Sequence, residues 1–336
     1  MPLSMLDSTV PFAMYAPKQL HITEVAFAKN EGRFLLEWIA YHRVIGVTDF
    51  LIYTNDCEDG SPDLLDRLQE LGIVIHVQNQ VAPGERPQNM ALNLAADHHV
   101  VKHADYVLQI DPDEFLCINA GEGLVADLID TAPEADVICV QMRFFGDGGL
   151  PCMPQGLVME AFTRCSQEGL DQNRNVKSLA RNGGPFFKIT ANHMPGFFAA
   201  DGQHPRIFNC GGAEISPEAY GGERFRMIPD AFRSMKFAQL NHYSLKTIAD
   251  YNAKRYRGTA AGNDKKFTRK YWTALNRNEV EDTKILRHLS ATKALMQEWL
   301  RDPVLAARNL RCFEAYDEIL RKSQRLFGAD SEDQYP

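Results

Sequence analysis

The chain has 336 residues, enough for one large domain or two small ones at roughly 100–200 residues each. A hydrophobic content of 45% and a charged content of 24% are ordinary for a globular protein, and a net charge of −8 argues against bulk nucleic-acid binding, which needs a basic footprint. Seven scattered cysteines with no Cys-x-x-Cys offer neither a zinc site nor a disulfide framework, which favours a reducing compartment.

The first half alternates between strand and helix patterns. Ile22 to Ala28 reads as a strand, and Glu31 to Ile45 carries Phe34, Leu35, Trp38, Ile39 and Ile45 at helical spacing. Phe50 to Tyr53 is a second strand ending at Asn55 and Asp56. Ser61 then fits an N-cap and Pro62 a first helical turn. Ile73 to Val77 is a third strand, residues 87–103 a helix, and Tyr106 to Ile110 and Asp136 to Met142 two more strands. Such alternation predicts an α/β fold with a mostly parallel sheet flanked by helices.

Residues 143–235 are rich in Gly and Pro, as at Gly146–Gly149 and Asn182–Pro185, and read as long functional loops. Phe237 to Tyr243 is strand-like. From Ile248 the pattern turns helical, with amphipathic helices over Ser290–Arg301 and Pro303–Phe327. The expected organisation is an N-terminal segment 1–19, a catalytic domain 20–260 and a helical C-terminal extension 261–330. No apolar run approaches the roughly 18–20 residues that cross a membrane, and Met1–Asp7 lacks the basic and apolar regions of a signal peptide. A cytoplasmic protein is expected.

The strand Tyr106–Ile110 ends in three acids, Asp111, Asp113 and Glu114. The carboxyl end of a buried strand is where open α/β sheets keep their ligand crevices. Residues two apart on a strand point the same way, so Asp111 and Asp113 can aim at one side. Two converging carboxylates call for a cation, and Mg²⁺ or Mn²⁺ would keep waters or substrate phosphates as its other ligands. Asp-x-Asp alone is a common triplet, and a lone instance is usually just a polar loop.

The wider pattern resembles glycosyltransferases of the GT-A fold, a Rossmann-like architecture, and among them family 2 members related to family 92. The segments that carry the resemblance are Ala28–Trp38, Tyr53–Gly60, Val107–Phe115, Asn241–Ile248 and Asn252–Gly258. Phe144–Gly149 and Met159–Thr163 are similar to the acceptor-side loop and following helix, and Lys177–Arg181 and Asn192–His193 to a further pair of segments.

The resemblance implies a metal-dependent, inverting hexosyltransferase that moves a sugar from a nucleoside-diphosphate sugar to a hydroxyl of a glycan or lipid-linked acceptor. It leans to UDP-sugars, UDP-galactose among them, and by analogy to polysaccharide biosynthesis. Asp113 and His242 would hold Mn²⁺ or Mg²⁺, with Asp111 on the metal or the donor ribose. Lys29, Asn30, Glu31, Asn55 and Asp56 sit where parallel-sheet enzymes place nucleotide contacts, although each could instead be a cap or turn residue. Lys246, Lys254 and Arg257 would clamp the diphosphate. The window 251–270 holds seven Lys or Arg against one acid, and can equally be a solvated basic helix or a peripheral contact with an anionic membrane face.

An inverting mechanism needs a base for the acceptor hydroxyl; the resemblance offers Glu160 first and Asp147 second. His98, His99 and His103 share one helical stretch, where His99 and His103 are four apart but the surroundings give no third ligand, and they read as surface histidines. His193 is assigned only an acceptor- or donor-side place. Two rivals stand beside this reading: a sugar-nucleotide-binding protein without transfer activity, and a Mg-dependent phosphatase. The phosphatase type carries its Asp-x-Asp on the first strand and wants Thr or Val after it, where this chain has Glu114 and Phe115.

Overall fold

The computed structural model describes residues 20–79, 87–197, 204–258 and 267–327. The segment 1–19, part of the basic window (259–266) and the tail beyond 327 lie outside the described residues. In chain order β1 (Ile22–Ala28), α1 (Gly32–Val44), β2 (Asp49–Thr54), α2 (Ser61–Glu70) and β3 (Ile75–Gln78) form the first alternating run. Next come α3 (Pro87–Asp97), α4 (His99–Lys102), β4 (Tyr106–Gln109), β5 (Glu114–Ile118), α5 (Val125–Asp130) and β6 (Val137–Phe144).

The Gly-rich middle holds short elements: α6 (Val158–Ala161), β7 (Arg164–Cys165), β8 (Val176–Arg181), β9 (Phe186–Lys188), β10 (Gly196–Phe197), β11 (Ile207–Asn209), β12 (Glu214–Ile215) and α7 (Pro217–Tyr220). β13 (Ala238–His242), α8 (Ile248–Arg257), α9 (Arg269–Leu275), β14 (Val280–Glu281), α10 (Leu289–Trp299) and α11 (Pro303–Phe327) complete the fold.

Among the described residues a ten-stranded sheet runs β12-β11-β6-β8-β4-β1-β2-β3, with β13 beside β6 and β5 beside β13. β3, β2, β1 and β4 are parallel neighbours. The middle segment is not simply loops, as its composition suggested: β8 inserts antiparallel between β4 and β6 at the centre of the sheet. The expected helix over 87–103 is two helices, broken at His98, whose side chain caps the second. The architecture is α/β, with a mostly parallel sheet flanked by helices and a helical C-terminal region.

α1 is buried on nearly all sides. Its Trp38 Nε1 donates to the Glu114 carbonyl at 2.8 Å and its Tyr41 hydroxyl to the Leu116 carbonyl at 2.8 Å, which ties β5 to the helix. Glu37, also on α1 and buried, accepts the Val158 and Met159 amides at 2.8 and 2.9 Å and so caps the start of α6. Ser61 is not the N-cap of α2. The buried Asp59 carboxylate accepts the Ser61 amide and hydroxyl at 3.0 and 2.5 Å and the Gly32 amide at 2.7 Å, serving two helix starts at once. A Cβ on Gly32 would lie 2.7 Å from Cys312 Sγ, so the close approach of α11 to α1 requires glycine there. α11 packs on α8, α1 and α2. No helix among the described residues is long and apolar enough to cross a membrane.

Candidate functional site

The register of the sheet builds the site. β4 ends at Gln109, and Asp111 to Glu114 form a tight turn closed by the Glu114 amide on the Asp111 carbonyl at 2.9 Å. The acids therefore do not project by strand alternation, as the sequence suggested; they stand in the turn that links β4 to β5. β5 pairs with β13 so that Glu114 faces His242, and β13 pairs with β6 so that His242 faces Phe144. The Tyr243 amide then donates to the Asp113 carbonyl at 2.8 Å. Pairing alone thus brings His242 to the acidic turn.

These residues line a cleft of about 430 Å³ at the carboxyl ends of β1, β4 and β6. Asp113 is nearly buried, with Lys254 Nζ 2.5 Å from its Oδ2 and His242 Nε2 3.6 Å from its Oδ1. Burial alone would raise the Asp113 pKa, but Lys254, His242 and Lys246 outweigh it and hold the carboxyl well below the usual range. Burial pulls the His242 pKa down to about 4, so the imidazole is neutral near pH 7.

Behind Asp111 lies a second charge cluster. The buried Lys177 Nζ is 3.2 Å from Glu114 Oε2, 3.4 Å from Asp111 Oδ2 and 3.3 Å from Asn192 Oδ1. Burial depresses its pKa, yet the facing Asp111 and Glu114 outweigh burial and leave it raised. Glu114 moves upward because burial, reinforced by Asp111 and Asp113, exceeds the pull of Lys177. Its Oε2 also accepts the Asp111 amide at 2.9 Å, fixing the turn.

At the mouth, Glu31 Oε1 meets Arg257 at 2.5 Å, and the same guanidinium donates to the Lys29 and Asn30 carbonyls. Lys254 and Arg257 on α8 are thus turned into the cleft and are not a solvated face. Lys29 lines the cleft and sits 3.8 Å from Asp56.

Other sequence-predicted residues serve the scaffold. Asn30 holds a left-handed φ of 55° and accepts the Glu58 amide at 2.7 Å through Oδ1. Asn55 and the exposed Asp56 (φ 46°) form the turn after β2 and do not line the cleft. Lys246 is buried with its ammonium 4.2 Å from the Phe34 ring centroid, behind the cleft wall.

Neither carboxylate offered as a base lines the cleft. Glu160, on α6, pairs with Lys293 at 2.7 Å, each side chain about two-fifths exposed. Asp147 is held in its loop by the Asn276 and Asn278 amides, each at 3.1 Å, and by the Gly149 amide at 2.9 Å. Four residues the sequence reading gave no specific role, Lys177, Asn192, His193 and Arg226, do line it. Only the first three lay in segments that could have pointed to them.

Asp113 Oδ1 and His242 Nε2 are the donors a divalent ion could share. No group of three or more His, Cys, Asp or Glu side chains gathers in metal-binding geometry among the described residues. Two protein donors still suit Mg²⁺ or Mn²⁺, which commonly take their remaining ligands from phosphate and water.

Residues 22–155 match the model of glycosyltransferase family 92. A glycosyltransferase family 92 protein of Ricinus communis is 29% identical over 142 residues, covering 40% of this chain and 24% of the relative. Another, of Oryza sativa subsp. japonica, is 28% identical over 150 residues, covering 44% and 25%. The chain spans about a quarter of the length of these curated relatives. Among solved structures, a nucleoside-diphosphate-sugar pyrophosphorylase of Vibrio cholerae aligns over 66% of this chain and 91% of its own, at 12% identity and a TM-score of 0.25. At that score the likeness carries no weight.

Proposed function

We propose that the protein is a glycosyltransferase of GT-A type, transferring a sugar from a nucleoside-diphosphate sugar to an acceptor hydroxyl, with its catalytic unit over residues 20–260 and the helices of 261–330 bracing it. The observation that carries the reading is the cleft itself: an acidic turn at the carboxyl end of β4, faced by Lys177, Lys254 and Arg257, inside the stretch that matches family 92. Each of these cations is paired with a carboxylate in the free protein, so a diphosphate would enter a site whose positive charge is already placed and desolvated.

Asp113 and His242 are the residues to hold Mn²⁺ or Mg²⁺, which when bound would supply electrostatic stabilisation of the departing diphosphate. Asp111 would take the ribose or the metal, and Lys254, freed from Asp113, a phosphate oxygen. A UDP-sugar donor, UDP-galactose among the candidates, and a glycan or lipid-linked acceptor remain part of the proposal.

Binding without transfer is the second reading. It draws on the state of the cleft carboxylates: Glu31, Asp111, Asp113 and Glu114 each face a cation, so none is a free base. One experiment separates the two. Thermal shifts with UDP, GDP and CDP, with and without Mn²⁺, identify the nucleotide, and release of that nucleotide from its sugar conjugates in the presence of acceptor then reports turnover. Stabilisation without turnover supports the binding protein, and no stabilisation by any nucleotide overturns both.

A further inference from the structure

We propose that His193 is the proton acceptor for the attacking hydroxyl, a role that rests on the glycosyltransferase reading and completes it. His193 lies on the cleft wall between β9 and β10, next to Asn192, whose side chain meets Lys177. Its Nδ1 is 2.8 Å from the Val176 carbonyl oxygen. A carbonyl oxygen can only accept, so Nδ1 carries the hydrogen and Nε2 presents a lone pair. Nε2 makes no hydrogen bond with the described residues, while the ring is fixed at its other nitrogen.

The backbone is fixed too, since the Ser178 hydroxyl donates to the His193 carbonyl at 2.5 Å. An oriented, half-buried imidazole with an unbonded ring nitrogen, on a residue that lines the cleft, is the arrangement a general base needs.

The competing groups are occupied. Every carboxylate that lines the cleft is ion-paired, and Glu160 and Asp147 lie off it. Burial, with Lys177 and Arg226 adding, lowers the His193 pKa to about 4, against a small opposing pull from the Val176 hydrogen bond and Asp111. The ring is therefore in its free-base form at neutral pH. A diphosphate seated against Lys177 would offset that cation and strengthen the ring's hold on a proton as the reaction proceeds.

The step balances. The hydroxyl oxygen bonds to the anomeric carbon, the bond from that carbon to the phosphate oxygen breaks, the nucleoside diphosphate leaves with the electron pair, and the hydroxyl proton passes to Nε2. Solvent then takes the proton from the imidazolium.

The test compares full-length wild type with H193A and H193Q, using the nucleotide that stabilises wild type and its sugar conjugate as donor. Both variants are expected to keep the nucleotide-induced thermal shift while kcat falls about 10²- to 10⁴-fold, the usual span for a lost general base. Added imidazole is expected to restore H193A at least tenfold and to leave H193Q unchanged. H193A within tenfold of wild type, loss of the nucleotide shift, or a defect that imidazole does not relieve would each overturn the proposal. If wild type itself neither binds nucleotide nor transfers sugar, the broader reading fails and takes this one with it; a working wild type with a working H193A removes this one alone.

Discussion

Lys177 Nζ stands 3.2 Å from Glu114 Oε2, and each side chain is 1% exposed. Deleting one partner of such a buried pair typically costs about 3–5 kcal/mol, because the other charge is left uncompensated. Glu114 can escape part of that cost by taking a proton, since burial already pushes its pKa up. Lys177→Met is therefore expected to lose stability at the lower end of that range. The loss should deepen from pH 6 to pH 9, as the lone carboxyl is forced to ionise. Urea denaturation at the two pH values measures it, and equal losses would contradict the pairing.

Asp113→Ala removes the partner of Lys254 and the oxygen nearest His242. A ligand at a hundred times its Kd stabilises the folded state by about 2.7 kcal/mol. Wild type with the matching nucleotide and Mn²⁺ should show a melting shift of that order, and Asp113→Ala should show none. A mutant that keeps the metal-dependent shift would remove Asp113 from the metal site.

Glu37 gives a pH signature. Burial raises its pKa from 4.5 to about 7, against the opposing effect of the Met159 and Val158 amides and of Lys246. Between those values the folded state binds more protons than the unfolded one. Its contribution is thus fully present below pH 4.5 and is lost as pH rises through 7. The difference amounts to roughly 3 kcal/mol at one pKa unit per 1.36 kcal/mol. Glu37→Gln should flatten the fall in stability between pH 4.5 and 8 relative to wild type, read from chemical denaturation across that range. Parallel pH profiles for the two proteins would refute it.

Glu160→Gln tests the base from the other side. Its pair with Lys293 is half in solvent and worth about 0–1 kcal/mol. Transfer activity within threefold of wild type is expected. A fall of a hundredfold or more would return Glu160 to the mechanism and displace His193.

Much of the scaffold was legible because it is written locally. The strand Ile22–Ala28 and the helix Pro303–Phe327 have the bounds their apolar periodicities imply. β8 was not legible, since its core position depends on neighbours far along the chain, and a buried Lys177 interrupts the apolar run that would mark a strand. The site divides the same way. Asp111, Asp113 and His242 all reach the cleft. Asn30 and Asn55 illustrate the limit: an asparagine after a strand looks the same whether it will meet a ligand or shape a turn, and here both shape turns. Glu160 on α6 and Asp147 in the loop after β6 lie off the cleft, held by Lys293 and by Asn276 and Asn278 respectively, partners more than a hundred residues away that no local pattern reveals.

Arg257 bonds to Glu31 across 226 positions of sequence, and Lys254 to Asp113 across 141. During synthesis, then, the acidic turn is made long before the cations that neutralise it. Lys177 on β8 offsets Asp111 and Glu114 first, but until α8 has left the ribosome Asp113 and Glu31 stand without their cations at the end of a nearly finished sheet. Docking of α8 delivers those two cations, and α9, which follows it, closes the cleft with Tyr271 and Leu275.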